Sequence, residues 1–125
     1  MEIRTGVDII EVNRIKESIE QIGQVFVDRI FTEKEQEYCE KNNKMKYQHY
    51  AARFAAKEAI FKAISKNINN TSNWLWKNIE IYNDEKGRPI ADISKLEIKK
   101  IISQDLSISH IENYAMASFT LILDN

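Results

Sequence analysis

The sequence predicts an α+β fold in which an antiparallel sheet wraps around one long central helix. Helical patterns dominate the first half of the chain, and the strand patterns of the second half are joined by short turns. The strands do not alternate regularly with crossover helices, and no glycine-rich phosphate loop follows the first strand, so a doubly wound parallel sheet is not expected. Residues 1–125 are expected to form a single domain.

The chain opens with a predicted strand over residues 2–10, in which the side chains alternate between two faces. One face carries Ile3, Val7 and Ile9, and the other carries Arg4, Gly6, Asp8 and Ile10. From Val12 onward the apolar spacing becomes that of a helix, which ends near Gly23. Asp8 is therefore expected near the end of the strand, just before the first helix.

Two more helices are predicted before the middle of the chain. Thr32, with Glu35 three residues later, forms a capping-box pattern that predicts a short polar helix over the segment TEKEQEYCEKNN. A long helix is predicted over about residues 45–66, and its apolar residues surround most of its circumference. Such a helix is usually central and buried.

The second half of the chain is predicted to be mostly strand. The segment INNTSN (68–73) has loop composition, and NIEIYNDEKGRPIADI predicts a hairpin whose turn contains Gly87 and Pro89. Ser94 and Glu97 repeat the capping-box pattern, which predicts a helix over LEIKKII. The segments LSISHI and YAMASFTLIL then predict a second hairpin that ends the chain.

The composition is that of an ordinary globular chain. Hydrophobic residues make up 43% and charged residues 30%, with only 3 Gly and 1 Pro, which excludes collagen-like and disordered classes. The single cysteine, Cys39, cannot form an internal disulfide. The N-terminus MEIRTG lacks the features of a signal peptide, and the longest apolar run is too short to span a bilayer. We therefore expect a cytoplasmic protein that does not bind a membrane.

Charge is unevenly distributed along the chain. The net charge of −1 gives no overall attraction to nucleic acid, and none is expected as a partner. Residues 41–66, however, contain seven basic residues and only one acidic residue, Glu58. The basic residues are Lys41, Lys44, Lys46, Arg53, Lys57, Lys62 and Lys66. This region is either a solvated basic surface or a site for phosphates or an acidic partner.

The long helix contains one carboxylate that its position does not explain. At about 100° per residue, Glu58 falls among Phe54, Phe61, Tyr47 and Ala51, on a face expected to pack against the core. An unpaired charge buried there would cost several kcal/mol or would take up a proton. Glu58 therefore needs a partner.

Two partners for Glu58 are consistent with the residue spacing. Lys62 lies four residues later, in the order that favours an ion pair along a helix, and Asp8 would then only cap a local group. Alternatively, Asp8 and Glu58 approach each other and share a metal ion. Oxygen ligands favour Mg²⁺ over zinc, and Mg²⁺ is commonly held by one or two carboxylates together with water and substrate phosphate. Spacing alone leaves both possibilities open.

Three other residues are candidates for a phosphate site. Lys62 and Arg53 flank Glu58 on the long helix and could both contact phosphate, although Arg53 could instead pair with an acidic group elsewhere. His110 ends an alternating strand, where it is either a structural residue or a general base or phosphate donor. His49 has no companion in the sequence and is assigned no role. No catalytic triad, zinc spacing, Walker sequence or dinucleotide fingerprint is present.

Five segments in order along the chain carry a resemblance to a known family. They are GVDIIEVNRI (6–15), RIFTEKEQEYC (29–39), RFAAKEAIFKAI (53–64), NDEKGRP (83–89) and SISHIENYAMA (107–117). Together they resemble the bacterial holo-acyl-carrier-protein synthases, the short class of 4′-phosphopantetheinyl transferases. The most specific features are the Gly-Val-Asp near the N-terminus and the Lys-Glu-Ala followed by a lysine four residues after the glutamate.

The resemblance implies a fold of the 4′-phosphopantetheinyl transferase type and an enzyme of fatty acid biosynthesis. Such an enzyme moves the 4′-phosphopantetheine arm of coenzyme A to a serine of apo-acyl carrier protein and releases adenosine 3′,5′-bisphosphate. By the same analogy, Asp8 and Glu58 would hold Mg²⁺, and Glu58, Lys62 and His110 would be the catalytic residues. The coenzyme A site would comprise Arg53, Lys62, Gly87, Arg88, Pro89 and His110.

The family also implies partners and an assembly. Arg14 would dock the acyl carrier protein, helped by Lys44 or Lys46 through charge complementarity. The chain would form a homotrimer with its sites between adjacent subunits. The base that takes the serine proton would be a water on the metal, or Glu58 acting through water, in preference to His110. One departure is Ile111, at a position where the family often has threonine.

Overall fold

The structure is a computed structural model that describes residues 1–67 and 75–124. Strand β1 (Glu2–Glu11) is followed by helices α1 (Val12–Ile22), α2 (Gln24–Ile30), α3 (Glu33–Glu40) and α4 (Lys46–Ile64). The second half contains strands β2 (Glu80–Asn83), β3 (Pro89–Asp92), β4 (Ile101–His110) and β5 (Tyr114–Leu123). The loop predicted over residues 68–73 lies outside the described residues.

The strands form two antiparallel sheets. A three-stranded sheet has the order β1-β5-β4, with Asp8 opposite Ala117 and His110 opposite Ala115, and β2 pairs with β3 in a separate hairpin. Buried residues of α4 pack against inward-facing residues of β5 and of the β2–β3 hairpin, including Ile60, Ile81 and Phe119. The predicted α+β fold with an antiparallel sheet around a long helix is confirmed.

Helix α4 and strand β1 approach each other unusually closely. The buried residues of α4 are mainly small, and alanines occupy positions 51, 52, 55, 56, 59 and 63. Opposite them, Gly6 has so little space that an added Cβ would overlap the carbonyl oxygen of Ala59. The missing side chain of Gly6 therefore allows the two backbones to touch.

A buried ion pair links α3, α4 and the second half of the chain. The predicted capping box at Thr32 is confirmed, because the backbone N–H of Thr32 donates to Oε1 of Glu35 at 2.8 Å and the backbone N–H of Glu35 donates to the Thr32 hydroxyl. Glu35 also accepts from the ammonium of Lys57 at 2.7 Å and from the backbone N–H of Ile81 at 2.7 Å. Both side chains of the pair are completely buried.

Lys57 uses the rest of its hydrogen-bonding capacity in the same place. Besides Glu35, its ammonium donates to the carbonyl oxygens of Ile30 at 2.7 Å and Trp76 at 3.1 Å. Burial lowers the pKa of Lys57, and the charge of Glu35 opposes that shift. The three N–H groups of the ammonium therefore have three acceptors.

Two features of the fold differ from the sequence predictions. The prediction of a helix after Ser94 is wrong. Residues 94–96 form a single 3₁₀ turn, and Glu97 has a left-handed φ of 55°. The Ser94 hydroxyl donates to Asp92 at 2.7 Å and caps no helix. Helix α2 was not predicted, because its seven residues are too few to display a helical period.

Within residues 1–67 and 75–124, no helix has the length and apolar content needed to cross a membrane. Cys39 is buried in α3, and burial raises the pKa of its thiol to about 12. A thiol in that state is not a nucleophile at neutral pH.

Candidate active site

Strand β1 places a carboxylate beside the last turns of α4. The ammonium of Lys62 lies 3.3 Å from Oδ1 of Asp8 and 3.0 Å from the carbonyl oxygen of Val7. Glu58 lies one helical turn before Lys62 and is close enough to Asp8 for the two charges to interact. We call Asp8, Glu58 and Lys62 the carboxylate cluster.

Glu58 is not neutralised by its surroundings. Burial raises the pKa of Glu58, the charge of Asp8 raises it further, and Lys62 lowers it only in part. In the described part of the chain, Glu58 has no hydrogen bond or ion pair, because Lys62 pairs with Asp8 instead. The helical pair between Glu58 and Lys62, which the spacing permitted, is therefore not formed.

The environment of Glu58 confirms one sequence prediction in part. The face shared with Tyr47, Ala51, Phe54 and Phe61 was expected to pack against the core: Ala51 is buried and Tyr47 and Phe54 pack against the core, whereas Glu58 and Phe61 are half-buried. The buried positions of α4 are its alanines together with Tyr50, Arg53, Lys57, Ile60 and Ile64. Glu58 thus lies at the edge of the core, where a ligand can reach it.

The carboxylate cluster fits a hard cation. Two carboxylates and one ammonium leave a net charge of −1, and the half-buried setting makes that charge costly. Within the described residues, no group of three or more His, Cys, Asp or Glu side chains comes together. Two oxygen ligands are nevertheless a normal protein contribution to Mg²⁺, whose other positions are filled by water and substrate phosphate.

A cleft lies on another part of α4, between that helix, α3, the β2–β3 hairpin and β4. It encloses about 130 Å³. Its lining residues are Tyr38, His49, Ala52, Arg53, Asn83, Gly87, Pro89, Ile108 and His110. We call it the Arg53 cleft.

Arg53 is a buried cation without a buried anion. Arg53 is only 4% exposed, and its guanidinium carbon lies 4.0 Å from the centre of the Tyr38 ring, on which it stacks. Its Nε has no hydrogen-bond partner among the described residues, and none of the ion pairs there includes Arg53. The alternative in which Arg53 pairs with an acidic side chain is not observed, and the cleft therefore suits an anionic ligand.

Two histidines meet at the wall of the Arg53 cleft. His110 lies at the end of β4, and its Nδ1 is 2.8 Å from Oε1 of Gln48. The ring of His49 packs edge-on against His110 at 5.8 Å and lies 5.0 Å from the ring of Tyr38. Nδ1 of His49 is buried and has no partner among the described residues.

Sequence reasoning gave no role to His49, yet the structure places it in the cleft. Burial lowers the pKa of His49, and the charges of Arg53 and His110 lower it further, so its neutral form is favoured. One signal was present in the sequence: His49 and Arg53 are four residues apart, which puts them on the same side of a helix.

The structure divides the predicted coenzyme A residues between different surroundings. Gly87, Pro89, Arg53 and His110 line the Arg53 cleft, and Lys62 belongs to the carboxylate cluster. Arg88 is not in the cleft lining: it is exposed at the hairpin tip, where its Nε is 3.3 Å from Asp84.

The predicted basic surface over residues 41–66 is smaller than the charge count indicates. Lys57 and Arg53 are buried, and Lys46 forms an ion pair with Glu40 at 3.0 Å. Lys44 is exposed. Outside this region, Arg14 is exposed on α1 and forms no ion pair within the described residues.

The carboxylate cluster and the Arg53 cleft share one helix. Glu58 follows Arg53 by five residues, which separates them by about 7.5 Å along the helix axis and by about 140° around it. One end of this arrangement can hold a cation, and the other presents a buried guanidinium. The two sites therefore lie on different sides of α4, one suited to a cation and the other to an anion.

Comparison with known proteins gives consistent matches. Residues 4–118 match the model of the 4′-phosphopantetheinyl transferase superfamily. The holo-(acyl-carrier-protein) synthase of Protochlamydia amoebophila is 44% identical over 119 residues, covering 94% of this chain and 95% of the relative. That of Ruminiclostridium cellulolyticum is 43% identical over 123 residues, covering 94% of this chain and 90% of the relative.

Solved structures agree with the fold. An ACPS–CoA complex from Chronobacterium ammoniagenes has a TM-score of 0.85 and 27% sequence identity, with 100% of both chains covered. A holo-(acyl-carrier-protein) synthase from Bacillus anthracis in complex with CoA (3′,5′-ADP) has a TM-score of 0.77 and 34% identity, with 94% of each chain covered.

Proposed function

The chain belongs to the 4′-phosphopantetheinyl transferase superfamily, and we propose that it transfers the 4′-phosphopantetheine arm of coenzyme A to a serine of apo-acyl carrier protein. The relatives are named for this product, and two similar structures are complexes with coenzyme A. The observation that carries the proposal is that one helix bears both Glu58, which lies beside Asp8 and has no hydrogen bond or ion pair among the described residues, and Arg53, whose buried Nε has no hydrogen-bond partner there. A cation site and a separate anion site suit a ligand that carries several phosphates.

The proposed reaction exchanges one phosphorus–oxygen bond for another. The serine oxygen forms a bond to the phosphorus that bears the pantetheine arm, and the bond from that phosphorus to the bridging oxygen breaks. The bridging oxygen keeps the electron pair and leaves as part of adenosine 3′,5′-bisphosphate. The serine proton must pass to a base, and Glu58 acting through water is the candidate on this chain because its raised pKa makes it a stronger base than an ordinary carboxylate.

Asp8 and Glu58 are the proposed magnesium ligands. Their geometry supports this role because Glu58 has no partner among the described residues and Asp8 has only one cation, Lys62. When bound, Mg²⁺ would neutralise the negative charge that develops on the bridging oxygen. Lys62 would add a positive charge toward the same phosphates.

The Arg53 cleft is the proposed site for the rest of coenzyme A. Arg53 would donate to a phosphate, and His110 would contact the same ligand. Gly87 and Pro89 would line the nucleotide, and the exposed Arg88 would approach from the hairpin tip. Support comes from the lining of the cleft and from the unpaired Nε of Arg53.

The proposal extends to partners and assembly. Arg14, exposed on α1, is proposed to dock the carrier protein, with Lys44 as a helper; Lys46 is a weaker candidate because it already pairs with Glu40. A homotrimer with sites between subunits is proposed because the outer face of the three-stranded sheet is apolar. Its exposed residues include Ile3, Val7, Ile9, Tyr114 and Met116. With these substrates, we propose a cytoplasmic enzyme of fatty acid biosynthesis.

One incubation tests the proposed function. The protein is mixed with coenzyme A, Mg²⁺ and apo-acyl carrier protein, and the carrier is weighed by mass spectrometry. We expect the carrier mass to increase by one phosphopantetheine arm and adenosine 3′,5′-bisphosphate to appear in equal amount. A carrier of unchanged mass, with coenzyme A intact, would contradict the proposal, and a matched reaction with excess EDTA tests its dependence on magnesium.

A further inference from the structure

One hydrogen bond at the wall of the Arg53 cleft joins elements that are distant in sequence. Oε1 of Gln48, in the first turn of α4, lies 2.8 Å from Nδ1 of His110, at the last residue of β4. A carboxamide oxygen can only accept a hydrogen bond, so Nδ1 of His110 must carry the hydrogen. In the neutral ring, Nε2 is then the nitrogen with the lone pair.

This choice of nitrogen changes what the cleft offers to a ligand. Arg53 is a donor, and a neutral His110 with its hydrogen on Nδ1 is an acceptor at Nε2. Coenzyme A carries phosphate oxygens, which accept, and also hydroxyl, amide and amino groups, which donate. If the hydrogen moved to Nε2, the neutral ring would lose its acceptor on that side and would present a donor to the ligand instead.

The hydrogen bond also holds the ring in place. His110 is the last residue of its strand, and beyond it the chain enters a tight turn to β5. The neighbouring ring of His49 contacts His110 edge-on but makes no hydrogen bond to it. Gln48 is thus the group that fixes the rotation of the imidazole about its own axis.

We propose that Gln48 is a positioning residue of the coenzyme A site, which fixes the tautomer and orientation of His110 so that Nε2 is presented to the ligand. This inference rests on the proposed function, because it takes the Arg53 cleft to be where coenzyme A binds. The ionisable groups that line the cleft with His110 are His49 and Arg53 of α4 and Tyr38 of α3.

Nitrogen NMR of the histidine rings tests the tautomer directly. In the wild-type protein we expect His110 to be in the Nδ1–H form. In Gln48→Ala we expect the ring to shift toward the Nε2–H form that isolated histidine favours, and in Gln48→Glu, which keeps an acceptor oxygen, we expect the Nδ1–H form to return. A wild-type His110 in the Nε2–H form would overturn the proposal without requiring any variant.

Steady-state kinetics supply the second measurement. In Gln48→Ala we expect the KM for coenzyme A to rise about fivefold, the effect of losing one ordinary hydrogen bond, with a smaller change in kcat. The matched control is Gln21→Ala, which removes an exposed glutamine of α1 and should leave KM and the His110 tautomer unchanged. An unchanged KM and tautomer in Gln48→Ala would overturn the role of Gln48.

The two proposals can fail separately. If the wild-type enzyme modifies the carrier but the Gln48 variants match it, the role of Gln48 is refuted and the proposed function stands. If the wild-type protein binds no coenzyme A although His110 is in the Nδ1–H form, the proposed function is refuted, and the role of Gln48 falls with it.

Discussion

Lys57 and Glu58 are neighbours on α4, but their surroundings are opposite. Lys57 is completely buried, and each N–H group of its ammonium has an acceptor. Glu58 is half-buried, and in the described part of the chain it has no hydrogen bond or ion pair. One helix thus presents to the core a charge with all its hydrogen bonds made, and to the edge of the core beside Asp8 a charge without a partner among the described residues.

The comparison shows how polar groups inside a small protein can be assigned to structure or to function. A buried ion pair whose donors and acceptors are all matched has nothing left to offer a ligand, and it fixes the elements that it joins. A carboxylate whose pKa is raised by burial and by a second carboxylate is destabilised when ionised, and it is stabilised when a cation binds beside it. The first kind of site should control folding and the second kind should control activity.

The largest expected effect is on the structural side of this comparison. Lys57→Met leaves Glu35 buried without its cation, so we expect the free energy of unfolding to fall by about 3–5 kcal/mol. Urea denaturation followed by circular dichroism measures the change. The control is Lys66→Met, at an exposed position just after α4, which should change stability by less than about 0.5 kcal/mol. A Lys57→Met protein as stable as the wild type would refute the structural role of the buried pair between Lys57 and Glu35.

Glu58→Gln is the complementary change on the functional side. The amide keeps the size of the side chain but loses the charge that would hold a cation, so we expect kcat/KM to fall at least about a hundredfold at every practical Mg²⁺ concentration. The melting temperature should be unchanged or higher, because a costly charge has been removed. Glu37→Gln, on the exposed surface of α3, is the matched control. Full turnover by Glu58→Gln would exclude a role as metal ligand.

Arg14 extends the comparison to a charge at the surface. Arg14→Ala removes an exposed cation that forms no ion pair within the described residues, so stability should not change. We expect the KM for the carrier protein to rise about fivefold at low salt, because rim charges mainly affect association, while the KM for coenzyme A stays constant. Arg29→Ala, at an exposed position of α2, is the control. A change confined to coenzyme A would contradict the docking assignment.

The smallest expected effect is the pH dependence that Glu58 confers on stability. Because its pKa is raised above the ordinary value of 4.5, the folded protein holds this proton more tightly than the unfolded chain. The stability of the wild type relative to Glu58→Gln should therefore fall as the pH rises through 4.5 toward the raised pKa. Thermal melts of both proteins from pH 4 to 8 without metal measure this difference, and Mg²⁺ should reduce it. If the stability of the wild type relative to Glu58→Gln rose with pH instead, the raised pKa of Glu58 would be refuted.

Much of the fold could be predicted because the responsible patterns are local. The capping box at Thr32, the alternation of β1 and the end of α1 at Gly23 each depend on residues a few positions apart. The same reasoning failed at Ser94, where the capping pattern is present but the chain turns through a left-handed Glu97 into β4. A local pattern permits a helix, and only the tertiary fold decides whether the helix forms.

The candidate site was predictable in part for the same reason. Glu58 was detectable as a misplaced charge, but that Lys62 would pair with Asp8 depends on how β1 crosses α4. The net charge of residues 41–66 overestimated the basic surface, because burial of Lys57 depends on Glu35, 22 residues away. The contact of His110 with Gln48 spans 62 residues and leaves no pattern in the sequence.

The contact between Gly6 and the carbonyl of Ala59 has a mechanical consequence for the two proposed metal ligands. Asp8 is two residues beyond that contact on β1, and Glu58 is the residue before it on α4. The separation of the two residues that bear these carboxylates is thus fixed by direct backbone contact between β1 and α4, with no side chain between them. Any motion that spreads the carboxylates must also lift the strand from the helix, so heating should abolish metal binding and native structure in a single transition.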